Sequence, residues 1–320
     1  MKISSIIDIV AGDLQNSPAI SFITQSHTNI SKINDGDLFI SSSLKEIQIA
    51  ISKGAFAIVY DIDIDISTLD KEIAWIKVDN IQKAMIRLLR FNLSILDIQS
   101  YSCDEIFYQL CYISKSYKKE LVFLDNNLKN NFELLNNVTK ETILISTNKD
   151  MLYDILPLSK DINIKKHNIN NLVVHSLFET SFSYKHRYYY KLKLPMIYVD
   201  YFLTLLEFLD IQEYDNQKLN NFNLLKPIFI NHHCEIVDFG KSNRFIIANK
   251  NISISEIELE FISKVYSYAK IKIVNDDLKD TKLLDIIQIQ DYNALYIKHK
   301  SYKQIVKLLQ DNKHNHKKLF

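Results

Sequence analysis

The clearest pattern of apolar and polar positions lies between Asn34 and Asp61, NDGDLFISSSLKEIQIAISKGAFAIVYD. The turn Asn34-Asp35-Gly36-Asp37 leads into an apolar strand, Leu38-Phe39-Ile40. An amphipathic helix follows, and Gly54 turns the chain into a second strand, Ala57-Ile58-Val59-Tyr60. A strand–helix–strand unit of this kind packs as adjacent parallel strands joined by a right-handed crossover. Upstream, the pattern predicts a short helix or strand over residues 6–10, a loop from Gly12 to Pro18 and a strand over 19–24. The polar turn Gln25-Ser26-His27-Thr28 comes next. Downstream come an acidic–apolar stretch (Asp61, Asp63 and Asp65, read as a solvated edge strand), a strand over 74–78, and a helix from about Asn80. That helix buries Ala84, Ile86, Leu88 and Leu89.

Strand and helix signals continue to alternate. The segment Gln99-Ser100-Tyr101-Ser102-Cys103 precedes a predicted helix over 104–119, with strands over 121–124 and 142–146 and Asn-rich turns between them. From Leu172, two strands meet at a turn near Lys185 and His186, and a helix starts near Tyr198. Beyond Pro227 the order is a strand over 245–248, a helix over 255–268, a strand over 271–274 and a helical or loop region over 280–284. A strand over 294–297, a helix over 302–310 and a polar, frayed tail over 312–318 complete the chain. For the helix at 255, Ser253 or Ser255 is the expected N-cap, with Glu256 and Glu258 favoured by the dipole in its first turn. This alternation predicts an α/β protein with parallel sheets. At 320 residues it predicts three domains, over 1–92, 93–226 and 227–320.

Composition narrows the function. With 39 basic and 38 acidic residues the formal net charge is +1, so no electrostatic surplus points to nucleic acid or an acidic membrane. No apolar run reaches the roughly 18 residues of a membrane span, and the N-terminus lacks a signal-peptide core, which predicts a cytoplasmic protein. Cys103, Cys111 and Cys234 are scattered and odd in number, as expected of buried free thiols. Glycine is the telling residue: average usage of about 7% would give roughly 22, and the chain has 4. Backbone must come close to phosphate, often at positive φ, so nucleotide loops need glycine. Neither G-x-x-x-x-G-K-[ST] nor G-x-G-x-x-G can be built from Gly12, Gly36, Gly54 and Gly240.

Several motifs together resemble the Mur ligases of the MurE and MurF type. They are the polar turn Gln25-Ser26-His27, the strand opening Gly36-Asp37-Leu38-Phe39, the helix end Gly54-Ala55, and Val78-Asp79-Asn80 leading to Ala84-Met85. Leu194-Pro195 and Glu235, the latter within His232-His233-Cys234-Glu235, extend the likeness. The resemblance implies a three-domain arrangement with a shortened central domain and a small Rossmann-like C-terminal domain. It also implies that Gln25, Ser26, His27 and Thr28 contact the uridine end of a UDP-muramyl substrate. Ser100, Tyr101, Ser102 and Cys103 stand where the family carries its ATP-binding Gly-Lys-Thr loop, and they supply no lysine for the phosphates. His232, His233 and Glu235 stand at a degenerate C-terminal motif.

Other candidate chemistry reads as structural. His232, His233, Cys234 and Glu235 are zinc-ligand types, but adjacent strand residues point to opposite faces and no second ligand cluster accompanies them. His314 and His316 read as solvated tail. Tyr184 to Tyr190 mix cations and aromatics, and without a basic surplus they read as a charged hairpin tip. No G-x-S-x-G elbow exists, and Cys103 reads as a packed thiol. No metal or cofactor is expected. Three functional readings follow: a catalytically silent Mur ligase homologue that binds a UDP-muramyl precursor or a cell-wall synthesis partner; a divergent, MurF-like peptide ligase or a transferase using Ser26, His27, Ser100, Ser102 and Glu235; or a pure interaction module.

Overall fold

The computed structural model describes residues 1–65, 70–289 and 291–317, with side chains to residue 312. The chain packs as two compact units, one of residues 1–108 and 118–163, the other of 109–117 and 164–320. No helix among the described residues is long and apolar enough to cross a membrane.

The first unit holds two sheets. Helix α1 (Ile3–Val10) precedes β1 (Asp13–Leu14) and β2 (Ser26–His27). Then come β3 (Leu38–Ile40), α2 (Leu44–Ser52), β4 (Ala57–Tyr60), β5 (Ala74–Lys77) and α3 (Ile81–Ser94). The strand order is β1-β5-β4-β3-β2, parallel from β2 to β5 with β1 antiparallel on the edge. The second sheet is built by β6 (Gln99–Ser102), β7 (Leu121–Leu124), β8 (Ile143–Ser146) and β9 (Lys160–Asp161). Its order is β7-β8-β6-β9, all parallel. Helices α4 (Glu105–Ile113), α5 (Leu128–Leu135) and α6 (Lys149–Ile155) connect its strands. One apolar core runs from Ile6 and Leu38 through Leu88 and Leu93 to Phe132, Leu144 and Ile155, continuous across position 92.

The central strand–helix–strand unit follows its sequence closely. Gly36 and Gly54 have φ of 87° and 92°, and the Gly36 N–H donates to the Gly54 carbonyl at 2.9 Å. The left-handed backbone that ends α2 thereby touches the turn that begins β3, a geometry only glycine adopts cheaply. Ser43 caps α2 while Glu46, three residues on, bonds the Ser41 hydroxyl at 2.6 Å. Asparagine supplies four further caps. Asn80, Asn127, Asn148 and Asn251 each accept a backbone N–H in the first turn of α3, α5, α6 and a later helix, Ile252–Val265. The Asn-rich connections are therefore helix starts with a mechanism.

The second unit contains the antiparallel sheet β10 (Asn170–Ser176), β11 (Glu179–Tyr184) and β12 (Arg187–Leu192), followed by α7 (Val199–Phe208). Lys185, with φ 52°, makes the β11–β12 turn; Tyr189 is buried there, and Tyr188 and Tyr190 are exposed. A further sheet comprises β13 (Ile228–Phe229), β14 (Phe245–Asn249), β15 (Ile271–Val274) and β16 (Ala294–Lys298). Its order is β13-β14-β16-β15, with β13 antiparallel on the edge. Helices α8 (Ile252–Val265), α9 (Asp280–Gln288) and α10 (Tyr302–Lys317) complete it.

Several expectations are corrected. Residues 19–24 form no full strand: Phe22 makes only an isolated antiparallel bridge with Lys2, through Ile3 N–H to Ser21 O and Ile23 N–H to Met1 O, and Thr24 N–H donates to Gly36 O. The polar turn at 25–28 is instead partly a buried strand, since Ser26 and His27 pair with Leu38 and Phe39 of β3. Residues 61–65 are loop, with Asp63 bonded to Lys77 and Asp61 accepting the Ile81 N–H. Met85, not Ile86, lies in the core. Helix α4 stops at Ile113, short of 119, and Lys115–Tyr117 forms a 3-10 turn. Asn251 caps α8, so the helix starts earlier than Ser255, whose hydroxyl turns back to the Asn251 carbonyl at 2.9 Å. Helix α10 continues past 310 through Lys317, and the reading of His314 and His316 falls outside the described side chains.

Candidate functional site

The predicted contact residues Ser26, His27 and Thr28 are buried, and a carboxylate 105 positions away explains why polar side chains tolerate this. Glu133, on α5, accepts the Thr28 N–H and hydroxyl and the Asn29 N–H on one oxygen; its other oxygen lies 3.0 Å from His27 Nδ1 and 3.3 Å from Lys32 Nζ. Burial pushes the Glu133 carboxyl up, but the His27 bond, the two backbone N–H groups and the His27 charge outweigh it and hold its pKa below the ordinary value. Asp37 organises the preceding loop, accepting the Gln25 N–H at 3.0 Å and the Asn34 N–H at 2.9 Å. Its carboxylate stands 3.8 Å from His27 Nε2, a buried nitrogen without a hydrogen-bond partner among the described residues. The Ser26 carbonyl accepts from the Asn136 side chain at 2.7 Å. Of the four predicted residues, Gln25 is exposed and bonds only through its backbone in this cluster.

Beside this cluster opens a cleft of about 520 Å³, lined by Thr28, Asn29, Lys32, Asn127, Lys129, Asn130, Glu133 and Asn137. Its walls carry four amides, the ammonium groups of Lys32 and Lys129, and the carboxylates of Glu46 and Glu133, with Ile30 and Leu134 adding apolar surface. The amides donate to hydroxyl-, carbonyl- and phosphate-bearing ligands, and the Lys129 ammonium adds a positive charge for a phosphate.

Ser100 and Ser102 sit on β6, and both hydroxyls are already engaged. Ser100 Oγ lies 2.7 Å from Ser159 Oγ, and Ser102 donates to Asp161. Asp161 also takes Lys149 Nζ at 2.6 Å and the Tyr153 hydroxyl at 3.2 Å, and these donors hold its pKa below the ordinary aspartate value. Tyr101 is half-buried, and Cys103 N–H donates to Ser146 O. Only Cys103 and Asp104 separate β6 from α4, and Asp104 Oδ1 caps the helix by accepting the Phe107 N–H at 2.9 Å.

His232, His233, Cys234 and Glu235 lie in a tight turn, the loop part of the loop and half-buried strand expected there. Asn231 O accepts the Cys234 N–H, Asn231 N–H donates to Glu235 O, and Cys234 takes φ 58°. His232 and His233 are exposed, Cys234 is buried with its pKa raised by desolvation, and Glu235 accepts from Asn231. Among the described residues, no group of three or more His, Cys, Asp or Glu could hold a metal ion. Ser26 and His27 share one cluster, Ser100 and Ser102 another, and Glu235 belongs to the second unit.

A second buried carboxylate was missed. Glu258 accepts the Tyr198 hydroxyl at 2.7 Å, the Leu225 N–H at 2.8 Å, the Asn249 side chain at 3.3 Å and the Tyr296 hydroxyl. Desolvation by complete burial raises its pKa despite those donors. It ties α8 to β14, β16, the segment before α7 and the chain leading to β13. Expected with Glu256 in the first turn, Glu258 lies deeper in α8, whose first turn carries no acidic residue because the helix starts at Ile252, and the sequence gives no local sign of its partners.

No family model matches the chain, and no curated protein is similar to it in sequence. Its fold is nevertheless shared with solved structures. A crystal structure of MurF from Acinetobacter baumannii matches with a TM-score of 0.52 at 11% identity, covering 97% of this chain and 98% of that one. MurF ligase from Thermotoga maritima, in complex with ADP, matches with a TM-score of 0.51 at 10% identity, covering 90% of this chain and 96% of that one. The protein is α/β, and its fold is that of the Mur ligases.

Proposed function

We propose that the chain is a non-catalytic Mur ligase homologue. It holds a UDP-muramyl peptide precursor in the cleft beside Thr28 and does not hydrolyse ATP. The observation that carries this reading is the acid-capped turn from β6 into α4. A nucleotide phosphate binds at a helix N-terminus through free N–H groups and the positive end of the dipole. Here the Asp104 carboxylate occupies that end and Glu105 adds a second negative charge in the first turn. Lys149 is already committed to Asp161. The cleft offers the amides of Asn127 and Asn130 and the exposed Lys129 ammonium to a nucleotide diphospho-sugar, with Lys32 shared with Glu133. Such a precursor places the protein in the cytoplasm.

The test is thermal denaturation and calorimetry with UDP-N-acetylmuramyl peptide and, separately, ATP–Mg²⁺. A ligand at about a hundred times its Kd adds roughly 2.7 kcal/mol, a shift of a few degrees. The precursor is expected to shift the transition and ATP–Mg²⁺ to leave it unmoved. Lys129→Ala, a change at an exposed side chain, should weaken precursor binding about tenfold. ATP-dependent phosphate release with an amino-acid acceptor would overturn the reading. Stability unchanged by either ligand would overturn precursor binding and favour an interaction protein.

A further inference from the structure

The second unit contains a cavity of about 220 Å³ that owes nothing to the cleft proposed above. Its apolar wall is a cluster of Phe178, Phe229 and Phe239. Phe178 and Phe229 meet edge-to-face with centroids 6.1 Å apart, and Phe229 and Phe239 at 5.2 Å. This cluster forms because the turn before β11, strand β13 and the loop after it each bring one phenyl ring to the same place. Tyr302, at the start of α10, contributes to the lining.

Two cations interrupt the apolar lining. Lys193 follows β12 and is exposed; Lys226, just before β13, is half-buried. Among the described residues neither ammonium has a carboxylate partner. Lys193 rests over the Phe239 ring at 5.7 Å and Lys226 over the Tyr302 ring at 4.6 Å, with Lys226 also donating to the Asn220 carbonyl. A ring face is a weaker partner for an ammonium than a carboxylate, so both groups retain donors and charge for an anion. Burial and the neighbouring Lys193 charge push the Lys226 pKa down, a shift that a bound anion would oppose.

Size selects the ligand. A dry cavity of about 150 Å³ holds benzene, and pockets for drug-sized molecules begin at about 300 Å³. A nucleotide, with two fused rings, a sugar and phosphates, exceeds this space. We infer that the cavity binds a small aromatic carboxylate, its single ring against Phe178, Phe229 and Phe239 and its carboxylate between Lys193 and Lys226.

The experiment is isothermal titration of the full chain with 3-phenylpropionate, its neutral counterpart 3-phenylpropan-1-ol, and acetate. Phenylpropionate is expected to bind, with the alcohol and acetate each at least about tenfold weaker, the first for want of charge and the second for want of a ring. The double variant Lys193→Met/Lys226→Met should lose about tenfold for phenylpropionate while keeping its affinity for the alcohol. Absence of phenylpropionate binding, equal affinity for acid and alcohol, or an unaffected double variant would each overturn the assignment. Precursor titration in the same samples separates this cavity from the first-unit cleft, because neither lysine belongs to that cleft.

Discussion

His27 Nδ1 and Glu133 Oε2 stand 3.0 Å apart, joining the edge strand of the first sheet to a helix of the second across 106 positions of sequence. Around that contact Glu133 gathers the Thr28 and Asn29 N–H groups, so a single carboxylate satisfies the buried end of β2. Removing it strands several buried donors, and an unpaired buried donor costs more than the net value of its bond. Glu133→Ala should destabilise the first unit by about 3 kcal/mol, and Glu133→Gln, which keeps one carbonyl acceptor, by about 1 kcal/mol. Chemical denaturation followed at Trp75, fully buried in the same unit, measures both. Equal losses for the two variants would show that charge, not the accepting oxygen, matters.

Glu258 supplies the comparison in the second unit. Four donors converge on it, two of them the hydroxyls of Tyr198 and Tyr296. Glu258→Leu removes every acceptor at once and should cost about 4 kcal/mol. Tyr198→Phe removes one hydroxyl and keeps the ring packed against Phe222, so about 1 kcal/mol is expected. Hydrogen exchange of β14 and β16 reads the loss locally. Protection unchanged in Glu258→Leu would mean that the network stabilises neither strand.

Local signals made much of this fold legible and long-range ones did not. Strands β3 and β4 were readable because apolar runs and the glycines at 36 and 54 bound them within the sequence. Residues 19–24 look as apolar as those strands, yet their partner segment turns into α1 at Ile3, so the pairing stops at the single bridge Lys2–Phe22. Ser26, His27 and Thr28 were read as a polar turn; the carboxylate that permits their burial is contributed by a helix about a hundred positions away. Asn251 lost out to two serines as the expected cap because the helix begins earlier than its apolar positions suggest. The scarcity of glycine, by contrast, needs no tertiary information, since a phosphate loop must be written in the chain itself.

Two glycines should respond differently to alanine. Gly54 has φ 92°, and a Cβ there would lie 2.6 Å from Asp35 Oδ1 and 3.0 Å from Asp35 Cα, so backbone would have to move. Gly240 has φ 73° with open space around it. Both substitutions carry the left-handed cost of roughly 1 kcal/mol, which should be nearly all that Gly240→Ala loses. For Gly54→Ala the clash adds to it, and a total of about 3 kcal/mol is expected. A Gly54→Ala variant as stable as Gly240→Ala in urea titration would show that the Asp35 turn yields freely.

The two buried glutamates also set opposite pH dependences. The Glu133 pKa is lowered in the folded chain, so its contribution is fully present above the ordinary glutamate value of 4.5 and is lost as pH falls through the lower folded value. The Glu258 pKa is raised, so its contribution is fully present below 4.5 and is lost as pH rises through the higher folded value. Acid should therefore loosen α5 and β2 in the first unit, while rising pH loosens α8 and β14 in the second. Hydrogen exchange across a pH series, corrected for the intrinsic exchange rate, follows both segments in one sample. Glu133→Gln should flatten the acid response without touching the other, and Glu258→Gln the reverse. If both segments lost protection together at one pH, a process common to the whole chain would replace these two carboxylates as the cause.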